Sequence, residues 1–354
     1  MKTNIRMTII VSSLIALSSC DKGGSNFSLS SDTSQFQQSA TFVPRKLDVL
    51  FVVDNSGSMQ ASQTALAQNF PAFITYFKGK GYDFRMAITT TDAYYGDQFI
   101  NSGCSKCNVQ QTQFRASSDL TGGIAYRVMD NSTPNLDSVF SANVQVGTKG
   151  SGDERAFSSF KAALNSPLNS GFHRADAYLS VIVISDADDF SHDDINLNES
   201  YAQATLHSVN TYVDVLKTFT NGLPVNDFSF STIGVLDTAC RDQLAGGGEN
   251  KISTRYMQLS DATGGTKNSL CSPFNAVLNN ISSSIASNTQ AQFQLSRAPV
   301  VSSIRVIIDG TLIPSDATNG WTYNSVSRVI TVHGTFAPSA GAAITINFDP
   351  ESVN

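Results

Sequence analysis

An α/β fold with a central, mostly parallel sheet flanked by helices, followed by a small all-β unit, is what the hydropathy pattern of this 354-residue chain predicts. Three observations carry the prediction. Apolar runs at 47–53 (LDVLFVV), 178–184 (YLSVIVI) and 228–236 (FSFSTIGVL) have the composition of strands buried on both faces. Stretches with helical spacing separate them, and that alternation is the signature of a parallel sheet wrapped by helices. Beyond residue 292 the rhythm changes to short alternating runs broken by turn formers, the pattern of antiparallel strands.

The first nineteen residues read as an address rather than part of the fold. Lys2 and Arg6 give a basic start, Met7 to Leu17 an apolar core too short to span a bilayer, and Leu17-Ser18-Ser19-Cys20 a cleavage region. The last four residues resemble a bacterial lipobox. That resemblance implies cleavage before Cys20, acylation of this cysteine, and anchoring to the outer membrane or to the periplasmic face of the inner one. Residues 20–45, rich in Ser, Gln and Gly, are expected to form a flexible tether. Lys2 and Arg6 would leave with the address, so 23 basic against 29 acidic residues become 21 against 29, a net charge of −8. An acidic balance without a basic stripe argues against nucleic acid as a partner. Nothing after Leu17 is long and apolar enough for a transmembrane helix, so lipid would be the tie to the membrane.

The strand at 47–53 stops at a carboxylate. Asp54, Ser56 and Ser58 follow at alternate positions, Gly57 relieves the turn, and a helix carrying Leu66, Phe70, Phe73 and Phe77 on one face begins after Met59. Three oxygen side chains thus gather at the carboxyl edge of a strand, where open α/β sheets put their ligands. Hydroxyls with few carboxylates suit Mg²⁺, which keeps part of its shell for water and an incoming ligand. The stretch LDVLFVVDNSGSM resembles the first metal-binding loop of the von Willebrand factor A domain, the DxSxS of its metal-ion-dependent adhesion site. The resemblance extends over residues 46–291. It implies a Rossmann-like domain, a bound Mg²⁺ (or Mn²⁺ or Ca²⁺), and a protein partner that offers a carboxylate to the ion.

Family members carry a second loop with a Thr hydroxyl just before a helix. Here the equivalent stretch is 147–154, GTKGSGDE, ahead of an amphipathic run at 156–164. Alignment on that helix puts Ser151 at the ligand position, whereas residue type favours Thr148; Ser151 is preferred. Glu154 reads as a first-turn acid that suits the helix dipole. The strand at 178–184 leads to Asp186, which matches the family's strand-end Asp that contacts the metal. The metal set implied is therefore Asp54, Ser56, Ser58, Ser151 and Asp186. Asp188, Asp189, Asp193 and Asp194 read as a solvated acidic rim, the other reading being a second cation site such as one for Ca²⁺. Asp92, at the end of a strand over 84–91, either caps a turn or reaches the metal loop from the side. Residues 93–146 are polar and turn-rich and show no clear periodicity, and further helices are expected at 200–219, 253–263 and 271–287.

Residues 292–354 read as a small β-sandwich or meander, with Trp321 as its core plug. Apart from Cys20, four cysteines form an even set in an exported context, which favours the disulfides Cys104–Cys107 and Cys240–Cys271. Zinc at Cys104 and Cys107 would need two further ligands, and none of the four histidines offers one nearby. No HExxH, G-x-S-x-G or phosphate-binding lysine motif is present. A non-enzymatic adhesion module is therefore expected. Its alternatives are a metal-dependent hydrolase or phosphatase using Asp54, and a structural envelope lipoprotein with a non-functional site.

Overall fold

In the computed structural model the described residues are 36–41, 46–105, 107–117, 125–174, 177–220, 228–244, 250–289, 291–326, 328–332, 334–339 and 341–351. The address segment, Cys20 and most of the expected tether lie outside them.

Strand β2 (Lys46–Val53) occupies the middle of a six-stranded sheet because it is apolar on both faces. Leu47, Val49, Phe51 and Val53 enter one core with side chains of α1 (Gln60–Gly79), α2 (Leu136–Val144) and α7 (Phe274–Asn288). Leu50 and Val52 enter a second core with α3 (Ala156–Asn165), α4 (Val209–Phe219) and α6 (Thr254–Thr263). Period-two alternation along one strand thus builds both layers. The expected α1 face, Leu66, Phe70, Phe73 and Phe77, is fully buried.

The remaining strands of this sheet are β3 (Phe84–Thr90), β4 (Val128–Asp130), β5 (Ala177–Ile184), β6 (Phe228–Gly234) and β7 (Lys267–Ser269). Their order is β4-β3-β2-β5-β6-β7, with β4 alone antiparallel. Strand order therefore reverses between β2 and β5, the switch point where such sheets form a crevice. Val53 lies beside Thr90 and Ile184, so Asp54, Thr91 and Ser185 leave the sheet at one level.

Two further sheets, ordered β1-β13-β9-β10 and β11-β12-β8, enclose a separate core around Val306, Ile330, Ile344 and Ile346. These strands are β1 (Phe36–Thr41), β8 (Gln292–Gln294), β9 (Arg305–Ile308), β10 (Thr311–Ile313), β11 (Trp321–Asn324), β12 (Val329–Val332) and β13 (Ala343–Phe348). Trp321 plugs this core, its Nε1 donating to Ile313 O at 3.1 Å. Asp309 and Gly310 both take positive φ in the β9–β10 turn, the hairpin geometry for which Asp-Gly is suited. The architecture is α/β and Rossmann-like, with a small all-β unit beside it.

Two expectations need correction. Residues 36–41, placed in the tether, form β1 and pair antiparallel with β13 from Phe36↔Phe348 to Thr41↔Ala343. Backbone hydrogen bonds to a sheet edge do not require an apolar pattern, and FQQSAT shows none. The helix expected from Ser200 begins at Val209, where the Ser208 side chain accepts from Thr211 N. The unreadable stretch 93–146 contains β4 and α2.

Candidate metal centre at the carboxyl edge of the sheet

Asp54 is fully buried at the tip of β2, its own N–H held by Ile184 O at 3.0 Å. Its carboxylate accepts from Ser56 N at 2.7 Å and from the Ser185 hydroxyl at 2.7 Å. Ser56 is half-buried and Ser58 exposed, so the loop presents hydroxyls outward from a buried acid. Asp186 is also buried, with the Ser58 hydroxyl placed to offset part of that burial. Burial, with the neighbouring Asp186 charge, pushes Asp54 up to about 6 against the pull of its Ser185 and Ser56 hydrogen bonds. Burial likewise raises Asp186, opposed by Ser58. The structure brings Asp54, Ser56, Ser58 and Asp186 to one edge.

The second loop closes over this edge through its backbone. Gly150 N donates to Asn55 O at 2.7 Å, and a Cβ on Gly150 would meet the Asn55 side chain at about 2.5 Å, so any larger residue there would have to displace Asn55. Gln63 Nε2 bridges Asp54 O and Gly147 O, tying both loops to α1. Ser151 N donates to both oxygens of Asp92, and the Ser151 hydroxyl accepts from Asp153 N at 3.1 Å. Asp92 also takes a hydrogen bond from Asn55 Nδ2, so it reaches the first metal loop from the side by pinning both loops together. Thr148 lines a cleft of about 420 Å³ with Asn55, Asp92, Tyr95, Gln111 and Lys149. Glu154 is 1% exposed, and neither carboxylate oxygen has a hydrogen-bond partner by distance and angle. Burial first, and the Asp54 charge next, raise it well above the usual range, with the Thr91 hydroxyl offsetting only part.

The acidic rim is not a solvated loop at Asp188 and Asp189. Both are fully buried. Asp188 accepts from Arg255 N and Tyr256 N at the start of α6 and from the Tyr201 hydroxyl. Asp189 accepts from Phe157 N in the first turn of α3, from Ser191 and from the Arg255 guanidinium. Carboxylates so used cap helices, which also removes them from a second cation site. Asp193 is exposed and pairs with His207. Arg155, fully buried, donates to Asp153 and to the carbonyls of His192, Asp194 and Asn196, fixing the second loop against the third.

The sequence reading missed Ser185, Gln63, Arg155 and the burial of Glu154. A signal existed for Gln63, a polar residue in register with Leu66 and Phe70 on the buried face of α1. Arg155 gave none, because its partners come from another loop. Cys104–Cys107 and Cys240–Cys271 are disulfide-bonded, so the first pair is not half of a zinc site.

The donors fit a hard divalent cation: carboxylate and hydroxyl oxygens meet at one loop cluster, with no sulfur or imidazole ligand. Among the described residues no Lys or Arg stands within ion-pair distance of Asp54, Glu154 or Asp186. Nor, among them, do three carboxylate, imidazole or thiolate groups already converge as a chelate, so the donor set depends on the hydroxyls of Ser56 and Ser58.

No family model and no curated protein matches the chain. Solved structures similar to it include the pilus adhesin SpaC of Lactobacillus rhamnosus GG, at 13% identity and a TM-score of 0.43, covering 87% of this chain and 39% of that one. A von Willebrand factor type A protein from Catenulispora acidiphila is 13% identical with a TM-score of 0.39, covering 90% and 61%. The pilus adhesin RrgA of Streptococcus pneumoniae is 9% identical with a TM-score of 0.33, covering 88% and 58%. The chain thus spans between 39% and 61% of the length of these three.

Proposed function

We propose that the carboxyl edge of the sheet is a cation-dependent protein-recognition site, carried by a lipoprotein anchored through Cys20 in a bacterial envelope. Asp54, Ser56, Ser58 and Asp186 would hold the ion, Mg²⁺ in the first place and Mn²⁺ or Ca²⁺ as substitutes. When bound, the ion would neutralise the buried acids and offer an exchangeable position to a carboxylate of the partner protein. Such an attraction in a partly desolvated site exceeds that of a surface ion pair.

One observation carries this reading. Three buried acids elsewhere in the molecule are answered by arginine, Asp48 by Arg174, Asp153 by Arg155 and Asp189 by Arg255, and a fourth, Asp188, by two amides at the start of α6 and the Tyr201 hydroxyl. Asp54, Glu154 and Asp186 face hydroxyls, backbone N–H groups and one another. Gathering like charges in a buried place is unfavourable unless a cation joins them. The backbone that carries them is held by Gln63, Asn55 and Asp92, so the donors are positioned before any ligand arrives. Neither lipid anchor nor partner is needed to test the site. Calorimetric titration of Mg²⁺ and Mn²⁺ should give saturable binding to the protein, abolished in Asp54→Ala and Asp186→Ala. A wild-type protein that binds neither ion would overturn the proposal.

A further inference from the structure

We infer that Glu154 supplies a third carboxylate to this cation centre, across one water, so that the second loop contributes a charge where a hydroxyl was expected. The inference rests on the reading of the edge as a cation site.

Glu154 sits two residues before α3, with its carbonyl oxygen fixed by Phe190 N at 2.7 Å. Both side-chain oxygens are buried and neither has a hydrogen-bond partner by distance and angle; the Thr91 hydroxyl, which donates to Asn55, offsets only part of that burial. The charges it faces are Asp54 most strongly, then Asp92 and Asp186, and all are of its own sign. The adjacent guanidinium does not compensate it, since Arg155 spends its donors on Asp153 and three carbonyls. Folded proteins rarely leave a buried carboxylate without donors, and an exception calls for a bound group. A cation shared with Asp54 satisfies both acids at once.

The two hydroxyls weighed for this position are placed differently. Ser151 accepts from Asp153 N, and its own N–H is committed to Asp92, so it is a fixture of the loop. Thr148 borders the neighbouring cleft beside Lys149. Three carboxylates outweigh the two charges of a divalent ion, so the ion is retained without a carboxylate from the partner. Cation occupancy then precedes recognition and does not depend on it.

The test uses Mg²⁺ and Mn²⁺ alone, titrated at neutral pH into the full chain and into Glu154→Gln, Ser151→Ala and Asp54→Ala. The Gln side chain keeps the shape of Glu without its charge. We expect Glu154→Gln to weaken both ions at least about tenfold, and Ser151→Ala to stay within about twofold. The thermal midpoint gives a second readout. Without cation, Glu154→Gln should melt no lower than wild type, and its rise on Mn²⁺ addition should shrink. If Glu154→Gln binds within about twofold of wild type while Asp54→Ala abolishes binding, the cation centre stands and Glu154 is excluded from it. If wild type binds neither ion, the cation reading itself fails and this inference with it.

Discussion

Strand β2 carries two buried aspartates on one face, Asp48 near its start and Asp54 just past its end. Their surroundings differ in one respect. Asp48 accepts from Arg174 N at 2.7 Å, Nε at 3.0 Å and Nη2 at 2.7 Å, a forked and charge-assisted arrangement. Asp54 accepts from one amide and one hydroxyl, and its charged neighbours are acids. The amino edge of the sheet is thus electrostatically closed by the chain itself. At the carboxyl edge the same residue type is held ready for a charge that the chain does not supply.

The largest effect should come from opening the closed end. Arg174→Met removes the guanidinium from Asp48 and leaves this buried acid only the Arg174 amide and the His173 ring 3.2 Å away, which should cost about 3–5 kcal/mol. Urea denaturation should report this loss equally with and without Mg²⁺. A loss below about 1 kcal/mol, or one that Mg²⁺ repairs, would break the distinction between the two ends.

A smaller effect of opposite character is expected at Asp54 in the cation-free protein. Folding raises this carboxyl from the ordinary range to about 6, so between about pH 4 and 6 the native state binds more protons than the unfolded chain. Stability therefore falls as pH rises through that window, by on the order of 2 kcal/mol, and is recovered on acidification. Asp188, also pushed up to about 6 by burial, contributes in the same direction. Asp54→Asn should flatten part of this slope in denaturation curves taken across the window. An unchanged slope would show that Asp54 is not the acid at issue.

These contrasts also separate what the sequence displays from what it hides. Asp54, Ser56 and Ser58 were legible because a buried strand, a turn and a helix start are local, and their geometry follows from adjacent residues. Asp186 was legible for the same reason, at the end of β5. Asp188 and Asp189 were misread as solvated, since the donors they cap, Arg255 N and Phe157 N, are contributed by helices remote in sequence. Glu154 was read by its position before α3, and its isolation from donors emerges only when β2, β3 and the second loop are assembled. β1 was hidden because a strand added at an edge is held by backbone groups, which carry no residue signature.

The smallest effect gives the sharpest discrimination, because Asp186 and Asp188 are two residues apart and fall on opposite sides of the comparison. Asp188 is saturated: Arg255 N and Tyr256 N donate to one oxygen, and the Tyr201 hydroxyl to the other. Asparagine keeps an acceptor for the α6 amides, so Asp188→Asn should alter stability by no more than about 1 kcal/mol. Its Mg²⁺ titration should overlay that of wild type. Asp186, paired with an exposed Ser58 and lacking a cation, should behave otherwise, Asp186→Asn weakening Mg²⁺ with little loss of stability. If Asp188→Asn also weakened the ion, the acidic rim would belong to the centre after all, and the division between acids that cap helices and acids that await a cation would have to be redrawn.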